Sequence, residues 1–390
     1  MNNIRKLTDS LFWVGVNDRH IALFENVYPV PTGMSYNSYV LLDEKTALFD
    51  TVDASFTHDF LENVTAALKG RTLDYLIVNH MEPDHCASIA DVIAVYPEAK
   101  IVCTAKAVGM MKQFFDFDVD SRAILVKEGD TISLGSHELT FVMAPMVHWP
   151  EVMVTYEKTE KILFSADAFG SFGAVDGNIF ADEIDDKVAW LSEARRYYTN
   201  IVGKFGMSVQ GLLKKAAGLE IRMICPLHSV IWREDLPWLI DKYLKWSSYT
   251  PEEKSVTIAY GSVYGHTEKA ADILAGKLAD RGIRHISVFD VSKTHPSYII
   301  ADAFRTSAIV FASITYNGGI FCNMDTLLHQ LAAHGLTNRT AALIQNGTWA
   351  ATTSKQMGEI LGTMKNIHVL EADVTIKSAL KDNQEAELDA

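Results

Sequence analysis

Cysteine is scarce in this chain. Its 390 residues include four, Cys86, Cys103, Cys225 and Cys322, at spacings that form no C-x-x-C pair. That excludes a disulfide framework and a zinc knuckle. Cys86 and Cys225 each stand near a histidine, yet both read as small buried hydrophobes. No apolar run is long enough to cross a membrane. The opening stretch "MNNIRKLTDSLFWVG" lacks a charged start followed by an apolar segment, so a cytoplasmic protein with no membrane partner is expected. Basic charge is also short: 35 Lys and Arg against 49 Asp and Glu leave a formal net charge of -14. Nucleic acid is thereby excluded as a partner, because its recognition rests on basic surface facing phosphates. Low-complexity sequence is missing too, apart from an acidic end, "KDNQEAELDA", which is expected to fray.

What is present is the composition of an ordinary globular protein, 48% hydrophobic and 22% charged, in a chain long enough for two domains. Short runs rich in β-branched residues recur through the first part and predict strands: "LFWVG", "TALFDT", "YLIVN", "KIVCT", "RAILV", "ELTFVMA", "KILFSA" and "IRMIC". Helical periodicity covers 56–68, 105–115, 187–203 and 236–246. The chain turns polar at "KWSSYTPEEKS", the composition of a linker or domain edge. Strands "SVTIAYG", "SAIVFAS", "TAALIQN" and "NIHVLEA" then alternate with helices, as in a doubly wound parallel sheet. The expected division is 1–250 and 251–390.

Side chains able to hold a metal follow four of the predicted strands in the first domain. "LIVNHMEPDHCAS" carries His80, Glu82, Asp84 and His85; His148 follows "ELTFVMAPMV", Asp167 follows "KILFSA", and His228 follows "IRMICPL". Open sheets gather their sites beyond strand ends. Any one of these residues alone reads as a structural histidine or a cap. Together they predict a binuclear metal site. Four histidines and three carboxylates form an oxygen-rich set, which favours iron of higher coordination number over tetrahedral zinc.

In the second domain "YGSVYGHTEKAA" joins a strand to a helix. Small and hydroxylated residues opening a helix suit a phosphate, which meets free N–H groups and the positive dipole end there. The pattern G-x-G-x-x-G is absent, so a mononucleotide is favoured over NAD. "SITYNGG" and "QNGTWA" lie just after two further strands, where Tyr316 and Trp349 offer flat faces and Asn317, Gly318, Asn346 and Gly347 tolerate positive φ.

The order of the first-domain residues resembles the metallo-β-lactamase superfamily signature H-x-H-x-D-H followed by His, Asp and His, with Glu82 at the second histidine. That substitution, and the whole order, resemble the flavodiiron proteins. The resemblance runs from "SYNSYVLLDEKTALFDTVD" to about residue 372. It implies a metallo-β-lactamase-like αββα sandwich followed by a flavodoxin-like doubly wound α/β sheet. It further implies one iron on His80, Glu82 and His148, a second on Asp84, His85 and His228, and Asp167 as the bridge. "YGSVYGHTEKAA" resembles the FMN phosphate loop of flavodoxins, which assigns Ser262, Val263, Tyr264, Gly265, His266 and Thr267 to FMN. The second loop adds Thr315, Tyr316, Asn317, Gly318 and Gly319, and the third adds Asn346, Gly347, Thr348 and Trp349. The chain departs from the flavodoxin pattern at Ile314, Cys322, Asn323 and Gln345.

The implied activity is reduction of O2 to water, NO to N2O, or both, at two iron ions fed through FMN. An external donor such as rubredoxin or another small redox carrier is implied, as is a head-to-tail homodimer or dimer of dimers. Two rivals belong to other classes. One is a di-zinc hydrolase with an accessory flavodoxin-like domain, against which Glu82 argues. The other is a flavodoxin-type carrier fused to a degenerate domain, against which seven intact ligand positions argue.

Overall fold

The structure, a computed structural model, describes residues 2–389. It divides into two compact units: the chain up to Tyr198 with Met207–Tyr243, and Thr199–Gly206 with the chain from Leu244 onward. The expected boundary at 250 thus lies past the division, and a short excursion at 199–206 goes with the second unit.

In the first unit, period-2 apolar runs build two sheets. One has seven strands in the order Arg5–Lys6, Leu11–Trp13, Tyr39–Leu42, Thr46–Phe49, Tyr75–Ile77, Lys100–Cys103 and Ala123–Leu125. The other has five, Thr131–Ser133, Glu138–Met143, Met153–Glu157, Ile162–Phe164 and Met223–Cys225. The inner faces meet through Phe49, which stacks on Phe164 with ring centroids 3.7 Å apart. Helix Thr57–Leu68 buries Phe60, Val64, Ala67 and Leu68 and touches strand Tyr39–Leu42. This is the expected αββα layering, in which each sheet buries one face on the other.

Helix 187–203 was expected to be continuous. It is α-helical over Lys187–Tyr197, continues as a π turn over Tyr198–Val202, and tightens at Gly203–Phe205. The β-branched Thr199, Ile201 and Val202 before Gly203 weaken the regular α pattern there.

In the second unit the parallel strands run in the order Ile286–Asp290, Val256–Gly261, Ala308–Tyr316, Arg339–Asn346 and Ile367–Ile376. In its own numbering that is 2-1-3-4-5, the flavodoxin-like order, with its switch point between the first and third strands. "SITYNGG" is not simply a loop. Its strand runs on to Tyr316, turns at Asn317 (φ 50°) and Gly318 (φ 75°), and pairs back through Gly319–Ile320. Two successive positive φ values make this a type I′ hairpin, for which Asn-Gly is the preferred pair.

The polar stretch read as a linker or domain edge begins beside the division at Tyr243/Leu244, and it is well tied down: Trp246 is fully buried, its Nε1 donates to Glu252 at 2.7 Å, and Glu253 pairs with Arg305. One expectation of looseness fails. The acidic end does not fray before residue 389. Leu388 packs into the apolar cluster of Ile258, Ala270 and Val374, while Asp389 pairs with Lys277 at 2.9 Å and Arg281 at 2.8 Å. A single buried leucine beside an aspartate paired with two cations was invisible to composition.

At the rim of the first unit, Asp43 accepts hydrogen bonds from His137 N (2.7 Å), His137 Nδ1 (2.8 Å), Ser136 Oγ (3.0 Å) and Glu44 N (2.8 Å). Burial opposes its charge, but these bonds win and hold its carboxyl down at about 2. A depressed acid stabilises the fold above its unfolded value, and that contribution is lost as pH falls from about 4 through about 2. Asp43→Ala is expected to cost about 2 kcal/mol at pH 7. The difference from wild type in urea titrations should shrink below pH 4; a difference that stays constant to pH 2 would show that the charge contributes nothing.

Candidate metal centre

All seven predicted ligand residues meet at one end of the first unit, beyond strands Tyr75–Ile77, Glu138–Met143, Ile162–Phe164 and Met223–Cys225. The turn Pro83–Cys86, with proline at its start, points Asp84 and His85 to the same place as His80 and Glu82. Two groups result: His80, Glu82, His148 and Asp167, and Asp84, His85 and His228, the potential donor atoms of each lying within 4.8 Å of one another.

Asp167, counted in the first group, also faces the second. Its Oδ2 lies 3.1 Å from His80 Nε2 and 3.2 Å from His148 Nε2, while its Oδ1 lies 3.4 Å from His85 Nε2 and 3.6 Å from His228 Nε2. Glu82 Oε2 is 3.1 Å from His148 Nε2, and Asp84 Oδ2 is 3.3 Å from both His85 Nε2 and His228 Nε2. Among the described residues, Cys86 and Cys225 enter neither group; Cys86 Sγ donates to the Met81 carbonyl at 3.2 Å.

The donor set fits metal ions. Both carboxylate oxygens of Asp84 and of Asp167 are buried without a hydrogen-bond donor, and His85 Nε2 stands 3.0 Å from His228 Nε2. Buried carboxylates left without donors, and imidazole nitrogens converging on each other, cost several kcal/mol unless cations lie between them. In the polypeptide alone the same proximity appears as charge separation. Burial opposes the charge on Asp167, yet the neighbouring histidines hold its carboxyl well below the usual range. Burial likewise opposes a charged His148, and Asp167 and Glu82 still push it up to about 9.

The surroundings are aromatic. Phe24 meets the His228 ring edge-on at 5.5 Å, Tyr197 lies 5.4 Å and Tyr36 6.0 Å from the same ring, and Trp149 lies 5.5 Å from His80. Phe24 comes from the hairpin Leu23–Phe24/Tyr28–Pro29. Arg196 holds this hairpin by donating to the Pro29 carbonyl at 2.8 Å and stacking over Phe172 at 4.4 Å.

In the second unit the three predicted FMN loops lie at the carboxyl edge of the sheet. Gly265 (φ 86°) opens helix His266–Asp280 and its N–H bonds Ser262 Oγ at 3.1 Å. Buried Thr267 accepts from Asn346 Nδ2 at 3.3 Å, and Thr352 N donates to Thr315 Oγ1 at 3.1 Å, so the first loop is tied to the third and the third to the second. A Cβ on Gly347 would fall 2.1 Å from the Ala350 carbonyl oxygen, which restricts that position to glycine. Thr348 Oγ1 accepts from Ser378 Oγ at 3.1 Å. Tyr264 is 89% and Trp349 94% exposed, and Tyr316 is about half exposed. Flat apolar faces left in water beside a helix N-terminus fit a flavin ring with its phosphate. Val263, His266, Asn317, Gly318 and Gly319 lie in the same loops.

Residues 34–229 match the model of the ODP family beta lactamases. The anaerobic nitric oxide reductase flavorubredoxin of Escherichia coli O1:K1 / APEC is 29% identical over 388 residues, covering 97% of this chain and 78% of that one. The rubredoxin oxygen:oxidoreductase of the anaerobe Desulfovibrio gigas is 28% identical with a TM-score of 0.92, covering 99% of this chain and 96% of its own. The flavodiiron protein of Giardia intestinalis is 26% identical with a TM-score of 0.92, covering 100% and 94%. The chain belongs to the ODP family and is a flavodiiron protein.

Two buried carboxylates of this flavodiiron protein escaped the sequence reading. Asp50 receives the Asn79 N–H (2.7 Å), Asn79 Nδ2 (2.7 Å) and the His80 N–H (3.1 Å), and so fixes the strand end that presents His80. Glu151 receives His80 Nδ1 at 2.8 Å and the Met81 N–H at 2.9 Å. An acidic residue ending an apolar strand, as in "ALFD", was the available signal for Asp50; Glu151 had none beyond its nearness to His148. Backbone strain also gathers here. Asp50, Met146, Ala166, Phe169 and Ser229 all have φ between 51° and 70°. Each costs roughly 1–2 kcal/mol for a residue with a Cβ, a cost that tight ligand positioning offsets.

Proposed function

We propose that this flavodiiron protein reduces O2 to water, NO to N2O, or both, at a di-iron centre held by His80, Glu82, Asp84, His85, His148, Asp167 and His228. The observation that carries this reading is the two-sided placement of Asp167, whose two oxygens face two separate ligand groups. Iron bound there would supply electrons to the diatomic substrate, and FMN in the second unit would relay electrons to it.

The chain's own residues supply position and environment. Glu82, Asp84 and Asp167 offer oxygen donors, and the imidazoles hold their Nε2 atoms inward because His80 and His228 donate through Nδ1 to Glu151 and to the Ser35 carbonyl. Phe24, Tyr36, Tyr197 and Trp149 place aromatic rings around the ligand imidazoles, a surround that would suit a small uncharged gas. Ser262, Gly265 and Thr267 would hold the flavin phosphate, with Tyr316 and Trp349 against the ring. Among the described residues no helix is long and apolar enough to cross a membrane. Electrons would come from a rubredoxin or a similar small carrier, a reading supported by the names of the relatives. A head-to-tail homodimer would bring FMN of one subunit to the irons of the other.

Purified protein is expected to contain about two irons and one FMN per chain and to sediment as a dimer or dimer of dimers. Anaerobically reduced protein mixed with O2 or NO in stopped flow should reoxidise within the dead time or in milliseconds for at least one of the gases. Zinc in place of iron, with hydrolysis of lactams or esters and no reaction with either gas, would overturn the proposal.

A further inference from the structure

The two metal positions are matched in their direct ligands but not in what stands behind them. Each group has two carboxylates, counting Asp167 in both, and two imidazoles. Behind His80, which serves the first position, Nδ1 donates to Glu151 Oε1 at 2.8 Å, with both side chains fully buried. Behind His228, which serves the second, Nδ1 donates to the neutral Ser35 carbonyl at 2.7 Å. His85 Nδ1 is buried without a partner. Asp50 differs from Glu151 in accepting no hydrogen bond from a ligand ring: it binds Asn79 and the backbone N–H of His80, and its charge reaches His85 only through space.

Glu151 is firmly placed. The Met81 N–H donates to the same Oε1 at 2.9 Å, and Thr104 Oγ1 donates to the Glu151 carbonyl at 3.1 Å. A carboxylate accepting the remote proton of a ligand imidazole increases that ligand's basicity. In a buried setting its charge also acts on the metal with little screening.

We propose that Glu151 is a positioning residue that makes the two irons unequal, so that the iron on His80, Glu82 and His148 is the harder one to reduce. This rests on the di-iron reading. Reduction by an external one-electron donor then proceeds in order: the first electron enters the Asp84, His85, His228 position, and the second enters the Glu151-backed position. Glu151 itself gains and loses no electron or proton.

Glu151→Gln is the suitable variant, because the amide oxygen can still accept from His80 Nδ1 and from Met81 N while the charge is removed. In a redox titration of the iron-loaded protein, wild type is expected to show two separated one-electron steps. The variant is expected to raise the lower midpoint by about 59 mV or more, a tenfold change for a one-electron couple. The upper midpoint should move by less than half as much, so the half-reduced form, followed by electron paramagnetic resonance, becomes less populated. A lower midpoint that stays in place, or two midpoints that move together, would overturn the proposal.

Chelator competition on the as-isolated protein gives a second readout that holds for any metal. One of the two metals should leave at roughly 10- to 100-fold lower chelator concentration in Glu151→Gln, while the other leaves as in wild type. Equal weakening of both, or of neither, counts against a role confined to one position. Should wild type carry zinc instead of iron, the di-iron reading fails, yet this chelator result still decides whether Glu151 makes the positions unequal.

Discussion

Asp167→Ala is expected to lower O2 and NO turnover below about one-hundredth of wild type while leaving the flavin bound. The scale follows from the geometry. Removing an outer partner of a metal ligand typically costs 10- to 100-fold, and Asp167 is aimed directly into both ligand groups, with oxygens 3.1 to 3.6 Å from four imidazole nitrogens. Alanine removes the oxygens that face both positions, so two metals held there would lose their common ligand. The candidate flavin loops belong to the other unit, so flavin content and the flavin absorbance spectrum should match wild type, while a retained thermal transition of the first unit reports that the variant has folded. Iron content should fall toward one per chain or less. Turnover of either gas within tenfold of wild type would show that Asp167 does not bridge.

Much of this was legible in the sequence because the informative residues are local. Each candidate ligand stands just beyond an apolar β run, and a strand that ends in a fixed place carries the next few residues to a fixed place. Pairing of the strands, as in Leu163 with Ile224, then brings distant segments together without any further sequence signal. In the second of the candidate FMN loops, Asn317 and Gly318 likewise announced a turn. What could not be read was set by contacts between residues far apart in sequence. Glu151 meets His80 across 71 positions. The acidic end looked disordered because composition counts its charges, whereas Lys277 and Arg281 neutralise Asp389 and the sheet buries Leu388. Positive φ at Ala166 or Ser229 likewise has no signature in an alanine or a serine; it is imposed by the need to turn sharply at a ligand.

Arg339→Met is expected to destabilise the second unit by about 3 kcal/mol or more. Arg339 is 2% exposed, and burial pushes its guanidinium down to about 10. Its donors go to backbone carbonyls: Nε to Ala303 at 2.9 Å, Nη2 to Phe304 at 2.5 Å, and Nη1 to Tyr249 at 2.7 Å and to Thr337 and Asn338 at 3.0 Å. Ala303 and Phe304 lie in the last turn of helix Pro296–Arg305, where carbonyls have no partner within the helix. One planar fork thus closes a helix end and fastens the segment that precedes the first strand of the sheet. Methionine fills similar volume but leaves those buried carbonyls unpaired, and each such group costs about 1–3 kcal/mol. For a unit of this size 3 kcal/mol corresponds to a fall in melting temperature of roughly 6–12 °C. Arg339→Lys should fall between the two, because an ammonium keeps the charge but cannot reach three separate directions from one plane. Calorimetry with the cofactors bound would separate the transitions. If Arg339→Met melts within 2 °C of wild type, the carbonyls find other partners and the guanidinium is not what holds this corner of the unit closed.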